Sequence, residues 1–116
     1  MKRAEDNIIV TITFEFACDV IDVYLRLSAL RHFRIADQLC GSGTSIGANV
    51  REAQRAVSKA DFINKMGIAL KEAEETGFWF EVIERKLFNI DNKLKDDLRS
   101  IIRILITIIK SSKGNK

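Results

Sequence analysis

The chain has 116 residues, no proline, 47% apolar and 30% charged residues, and a formal charge of +3. That size suits one domain with its own core, the apolar share excludes disorder except at the ends, and no stretch reaches the roughly 18 apolar residues of a membrane span. The mild positive charge permits an anionic partner without demanding one, and with no apolar signal-peptide core behind Met1-Lys2-Arg3-Ala4-Glu5-Asp6 the chain is read as cytoplasmic.

The segment Ile8-Ile9-Val10-Thr11-Ile12-Thr13-Phe14-Glu15-Phe16 alternates apolar and polar residues, which alone reads as a strand. From Phe16 onward, however, Phe16, Ala17, Val20, Ile21, Tyr24, Leu25 and Leu27 fall at helical spacing. A lone strand with no second strand to pair is unstable. One helix over residues 10–30 is therefore expected, with its first turns open.

After a polar break at Arg31-His32-Phe33, the residues Ile35, Leu39, Ile46, Val50, Ala53 and Val57 predict a second helix over residues 33–57. Its stripe passes through Gly41-Ser42-Gly43-Thr44-Ser45-Ile46-Gly47. This run lacks the lysine and hydroxyl of a phosphate-cradling loop and has no strand before it. Each glycine inside a helix costs on the order of 1 kcal/mol relative to alanine, so a compensating contact is needed. Ala36, Cys40, Gly43 and Gly47 offer one, as a ridge of small residues that admits a close neighbour; a kink at Gly41-Gly43 is the alternative.

Ser58-Lys59-Ala60-Asp61 has the form of a capping box and opens a third helix over residues 59–88. Phe62, Met66, Ala69, Leu70, Ala73, Phe80, Ile83 and Leu87 form its apolar stripe, with Asp61/Lys65 and Glu81/Arg85 as exposed i,i+4 pairs. Asp91 is the expected N-cap of a fourth helix over residues 91–110, carried by Leu94, Leu98, Ile101, Ile102, Leu105, Ile108 and Ile109, with residues 111–116 frayed. Four such helices joined by short breaks predict an all-α fold, an antiparallel up-down four-helix bundle.

Some apolar surface exceeds what one bundle buries. Consecutive helical residues differ by about 100° in direction, so Phe78, Trp79 and Phe80 cannot all face the core. Ile104 and Ile106 likewise leave the main stripe of the fourth helix. Phe78, Trp79, Ile104 and Ile106 are therefore the expected interface of a homo-oligomer.

Catalytic and metal chemistry is not signalled. Cys18 and Cys40 are far apart and read as buried free thiols, and the single histidine, His32, cannot supply the paired Glu-x-x-His repeats of a di-iron bundle. Glu72, Glu74, Glu75 and Glu81 read as a solvated face. No metal, cofactor or catalytic residue is expected. Between Arg31 and Lys59, five cations (Arg31, Arg34, Arg51, Arg55 and Lys59) stand against Asp37 and Glu52.

The blocks from Ser42 to Ala53, from Ser58 to Met66 and from Ile68 to Thr76 are similar to the four-helix bundle proteins encoded in intervening sequences of bacterial 23S ribosomal RNA genes. The resemblance runs from Asn7 through Trp79, with Gly67 standing where relatives often carry serine, and the fourth helix matches only in character. Relatives include the accessory variability determinants, which assist the reverse transcriptase of diversity-generating retroelements. The resemblance implies a helical opening segment, a helical glycine run, a pentameric barrel and nucleic-acid or nucleoprotein binding without catalysis. Together with the basic excess it gives the expected function: a homo-oligomeric scaffold that contacts RNA or DNA phosphates through Arg26, Arg31, Arg34, Arg51, Arg55, Lys59 and Lys65. The alternative is an adaptor whose exposed apolar surface binds a protein such as a reverse transcriptase.

Overall fold

The structure, a computed structural model, describes residues 4–114, with side chains from Ile8 onward. Four helices follow one another: α1 (Ala4–Ala29), α2 (Phe33–Ala53), α3 (Lys59–Lys86) and α4 (Asn92–Gly114), with no strand among the described residues. Contacts along each neighbouring pair run in opposite senses. Gly43 lies against Val20 and Gly47 against Thr13. Ser42 meets Thr76 while Glu52 meets Lys65, and Gly77 faces Leu98 while Glu84 pairs with Lys95. With α4 packed back on α1, this is an antiparallel up-down bundle of 49 × 23 × 19 Å. Its long axis is set by the helices themselves, since the 28 residues of α3 span about 42 Å.

In α1 the buried positions are Ile9, Thr13, Phe16, Val20 and Leu27, a helical stripe that overrides the strand-like alternation. Thr13 is tolerated inside because its hydroxyl donates to the Ile9 carbonyl at 2.6 Å. Ile21 and Leu25, expected in this stripe, are instead 37% and 57% exposed. They follow Val20 by one and five residues, steps that rotate them away from the core.

The glycine run is continuous helix. Thr44 and Ser45 donate back to the carbonyls of Cys40 and Gly41 at 2.7 and 2.6 Å, keeping their hydroxyls within the helix. The glycines bring α2 close to α1: a Cβ on Gly43 would sit 2.8 Å from Val20, and one on Gly47 would sit 3.0 Å from the Thr13 carbonyl oxygen. Ala36 in the same ridge is buried.

α1 begins at Ala4, ahead of the expected residue 10, and the turns explain where the other element bounds differ from those expected. Arg31, at φ 69°, takes the left-handed position after α1; its amide bonds Ser28 and the His32 amide bonds Leu27, closing the helix in a Schellman motif. α2 stops at Ala53 and not at residue 57, because Gln54, Arg55 and Ala56 bond three residues back and tighten the chain. Val57 is thereby thrown off the stripe and is 93% exposed. Ser58 caps α3 by accepting from the Asp61 amide at 3.0 Å, while the Asp61 carboxylate reaches back to the Val57 amide at 3.2 Å. α3 ends at Lys86, where Leu87 and Phe88 both donate to the Ile83 carbonyl.

Before α4, the Asp91 carboxylate accepts from the Lys93 amide at 3.2 Å, as its capping role requires. Glu84 clips the α3–α4 turn, accepting from the Ile90 amide at 3.0 Å and Lys95 Nζ at 2.7 Å. α4 continues past the expected end near residue 110, because Ser112 extends the buried row of Ile101, Leu105 and Ile108. Of the tail expected to fray, residues 111–114 are thus helical, and 115–116 lie outside the described residues.

Candidate nucleic-acid interface

The antiparallel topology divides the seven expected basic contacts between two ends of the bundle. Arg26, Arg31 and Arg34 flank the α1–α2 turn, whereas Arg51, Arg55, Lys59 and Lys65 flank the α2–α3 turn. They do not make one surface. At the first end two guanidinium groups lie near aromatic rings: Arg26 is 3.7 Å from the centroid of Phe88, and Arg31 is 5.8 Å from that of Phe33. Arg34 is exposed in the first turn of α2.

At the second end Arg51, Arg55 and Lys59 are exposed, and neither Arg51 nor Arg55 has an acidic partner among the described residues. Lys65 differs from the expectation twice over. It is half-buried, and it pairs with Glu52 across the α2–α3 seam at 3.1 Å instead of with Asp61 on its own helix. The Asp61 carboxylate is engaged at the cap.

Arg51 and Arg55 stand over a groove of about 480 Å³ between α1 and α2, lined by Phe14, Ala17, Thr44, Gly47, Ala48 and Glu52 as well. Its origin is local. Gly47 lets α2 touch the backbone at Thr13, so the next residue, Phe14, is turned outward, while Gly47 and Ala48 project almost nothing into the space. Phe14 is 50% exposed, with the Arg51 guanidinium 5.4 Å from its ring centroid. Sequence reasoning did not single out Phe14. The available signal was that Phe14 and Phe16 point about 200° apart on a helix, so that only one of them can be core.

Elsewhere the charge is mixed. A shallow groove of about 800 Å³ along α3 sets Glu81 and Glu84 beside Arg85 and Lys86. Another, between α1 and α4, is lined by Glu15, Asp19 and Asp97 with Lys93. Glu74, Glu75 and Glu81 are exposed, as a solvated face requires, but Glu72 is half-buried. Burial and the neighbouring Glu75 push its carboxyl above the usual range. Among the described residues no three His, Cys, Asp or Glu side chains converge as metal ligands. No described helix is long and apolar enough to cross a membrane.

Residues 5–111 match the 23S rRNA-intervening sequence proteins. The chain belongs to that family. The 23S rRNA-intervening sequence protein described here is similar to a crystal structure from Bacteroides thetaiotaomicron VPI-5482, a protein of unknown function from the S23 ribosomal protein family. The two share 42% identity over 91% of this chain and 98% of that one, with a TM-score of 0.85. Comparison with curated proteins gave no match.

In this member of the 23S rRNA-intervening sequence family, the four expected interface residues also separate. Phe78 and Trp79 touch edge to face at 5.0 Å, with Phe78 56% exposed and Trp79 partly buried against the core. Ile104 lies in the α1–α4 groove beside Ile8 and Ile12. Ile106, 37% exposed, lies two residues away from it on α4, a step of about 200°. A further exposed apolar row lies on α1, where Phe14, Ile21 and Leu25 follow heptad-like spacing around Cys18. Cys18 is exposed and Cys40 half-buried, so the expected burial of both thiols is corrected.

Proposed function

We propose that this protein is a non-enzymatic, homo-oligomeric scaffold that binds nucleic-acid phosphate through the α2–α3 end of its bundle. The observation that carries the reading is the pair of exposed arginines Arg51 and Arg55 over an open groove, both lacking an acidic partner among the described residues, with Lys59 exposed at the same end of the bundle. Family membership supports it in kind, because the matched family takes its description from 23S rRNA intervening sequences. Self-association is assigned to the upper part of the α1 row, Ile21 and Leu25, which would otherwise leave apolar surface in water. A pentamer is the expected count from the resemblance.

The test is binding of the mass-defined oligomer to RNA and DNA across a salt series. Phosphate contacts release counterions, so affinity should fall steeply with salt. Arg51→Glu with Arg55→Glu should weaken binding and make the salt slope shallower by about two, one for each lost contact. Unchanged affinity in the folded variant rejects this site.

The exposed row on α1 also favours a second reading, an adaptor that docks a partner protein such as a reverse transcriptase. Apolar docking would scarcely change with salt.

A further inference from the structure

The groove between α1 and α2 has features that phosphate binding alone does not use. Its wall is an aromatic ring half exposed to water, and its floor is Gly47 and Ala48, so a flat group can approach without meeting long side chains. At about 480 Å³ it falls in the range of small-ligand sites, roughly 300–1,000 Å³. Arg51 reaches over the ring while Arg55 stands at the same end. The one acid in the lining, Glu52, is held by Lys65 at 3.1 Å, so its charge is compensated.

Aromatic face and guanidinium groups together suit an unpaired nucleotide, whose base stacks and whose phosphates are drawn to the cations. A duplex keeps its bases inside and can offer this groove only its backbone. We propose that the groove binds single-stranded nucleic acid, stacking a base on Phe14 and holding the flanking phosphates with Arg51 and Arg55. This rests on the phosphate-binding reading above and adds the strandedness and the contact that selects it.

The experiment compares a fluorescent oligouridylate, an oligothymidylate and a mixed-sequence duplex, by anisotropy over a salt series, on the intact oligomer. Wild type should prefer the single strands. Phe14→Ala should weaken single-strand binding about tenfold, leave duplex binding in place and keep the salt slope unchanged, since no phosphate contact is removed. Phe14→Trp should restore the preference. Ala48→Leu, at an exposed position, should fill the floor and reproduce the loss without touching Phe14. Equal affinity of wild type for single strand and duplex overturns the groove assignment while leaving phosphate binding intact. So does single-strand affinity unmoved by both Phe14→Ala and Ala48→Leu. Absence of binding to any of the three probes at low salt rejects this inference and the phosphate reading together.

Discussion

Between α1 and α2 the helices approach so closely that a methyl group on Gly43 would stand 2.8 Å from Val20. Between α3 and α4 a methyl group on Gly77 would meet Leu98 at 3.6 Å, an ordinary contact, and the turn is fastened by the Glu84–Lys95 ion pair. The close seam gains packing by removing side chains, which turns Phe14 outward and leaves a groove on its outer face. The looser seam spaces its helices with side chains, as the ordinary contact between Gly77 and Leu98 shows. A function placed on the first seam therefore depends on small residues that the second can do without.

The largest effect expected from this difference is at the glycines. Gly43→Ala and Gly47→Ala should each destabilise the fold by about 1–3 kcal/mol, because Val20 is a stiff buried side chain and the Thr13 contact is backbone. Urea unfolding reads this directly, and Val20→Ala should relieve Gly43→Ala but not Gly47→Ala. A neutral Gly43→Ala would show that the seam is looser than its geometry.

Next comes the polar contact between α2 and α3, where the buried hydroxyls of Ser42 and Thr76 lie 3.0 Å apart. Thr76→Val keeps the shape and removes one partner, at a cost of about 1 kcal/mol in thermal or urea denaturation. Ser42 retains only its longer 3.3 Å contact to the Leu39 carbonyl. No loss of stability would mean that this longer contact suffices.

Gly77→Ala should act with the opposite sign to the α2 glycines. It gains helix propensity and an ordinary contact with Leu98, raising stability by up to about 1 kcal/mol. A loss there would erase the contrast between the seams.

The smallest effect concerns the ion pair that fastens the looser seam. Hydrogen bonds from Lys95 and from the Ile90 amide hold the Glu84 carboxyl below its usual value of 4.5. A lowered folded-state value contributes stability above the unfolded value, and that contribution is lost as pH falls through the folded one. Glu84→Gln should therefore flatten the stability profile below about pH 4.5, seen in urea midpoints against pH. An unchanged acid slope would remove Glu84 from the account of that turn.

Much of this fold is legible in local patterns. The capping residues Ser58 and Asp91, the stripe of α4 and the small-residue ridge of α2 each follow from the chain's own period, since a helix repeats every 3.6 residues wherever it sits. Even the opening alternation yields once Ile9, Thr13 and Phe16 are read at helical steps. The candidate site was legible only in part. Arg51, Arg55 and Lys59 were identified from charge, but grouping them with Arg26, Arg31 and Arg34 followed sequence proximity, which two turns and the length of the bundle undo.

The sequence by itself determined that four amphipathic helices form, where most of them start, and that α2 must meet a close neighbour, because propensity, capping and periodicity act within a few residues. The tertiary structure decided which side chains meet across helices. It placed Arg51 over Phe14 from the neighbouring helix, paired Lys65 with Glu52, and set Phe78 and Ile104 in different grooves. Such pairings depend on the register and rotation of one helix against another, which the packing of the whole core fixes and no single helix encodes.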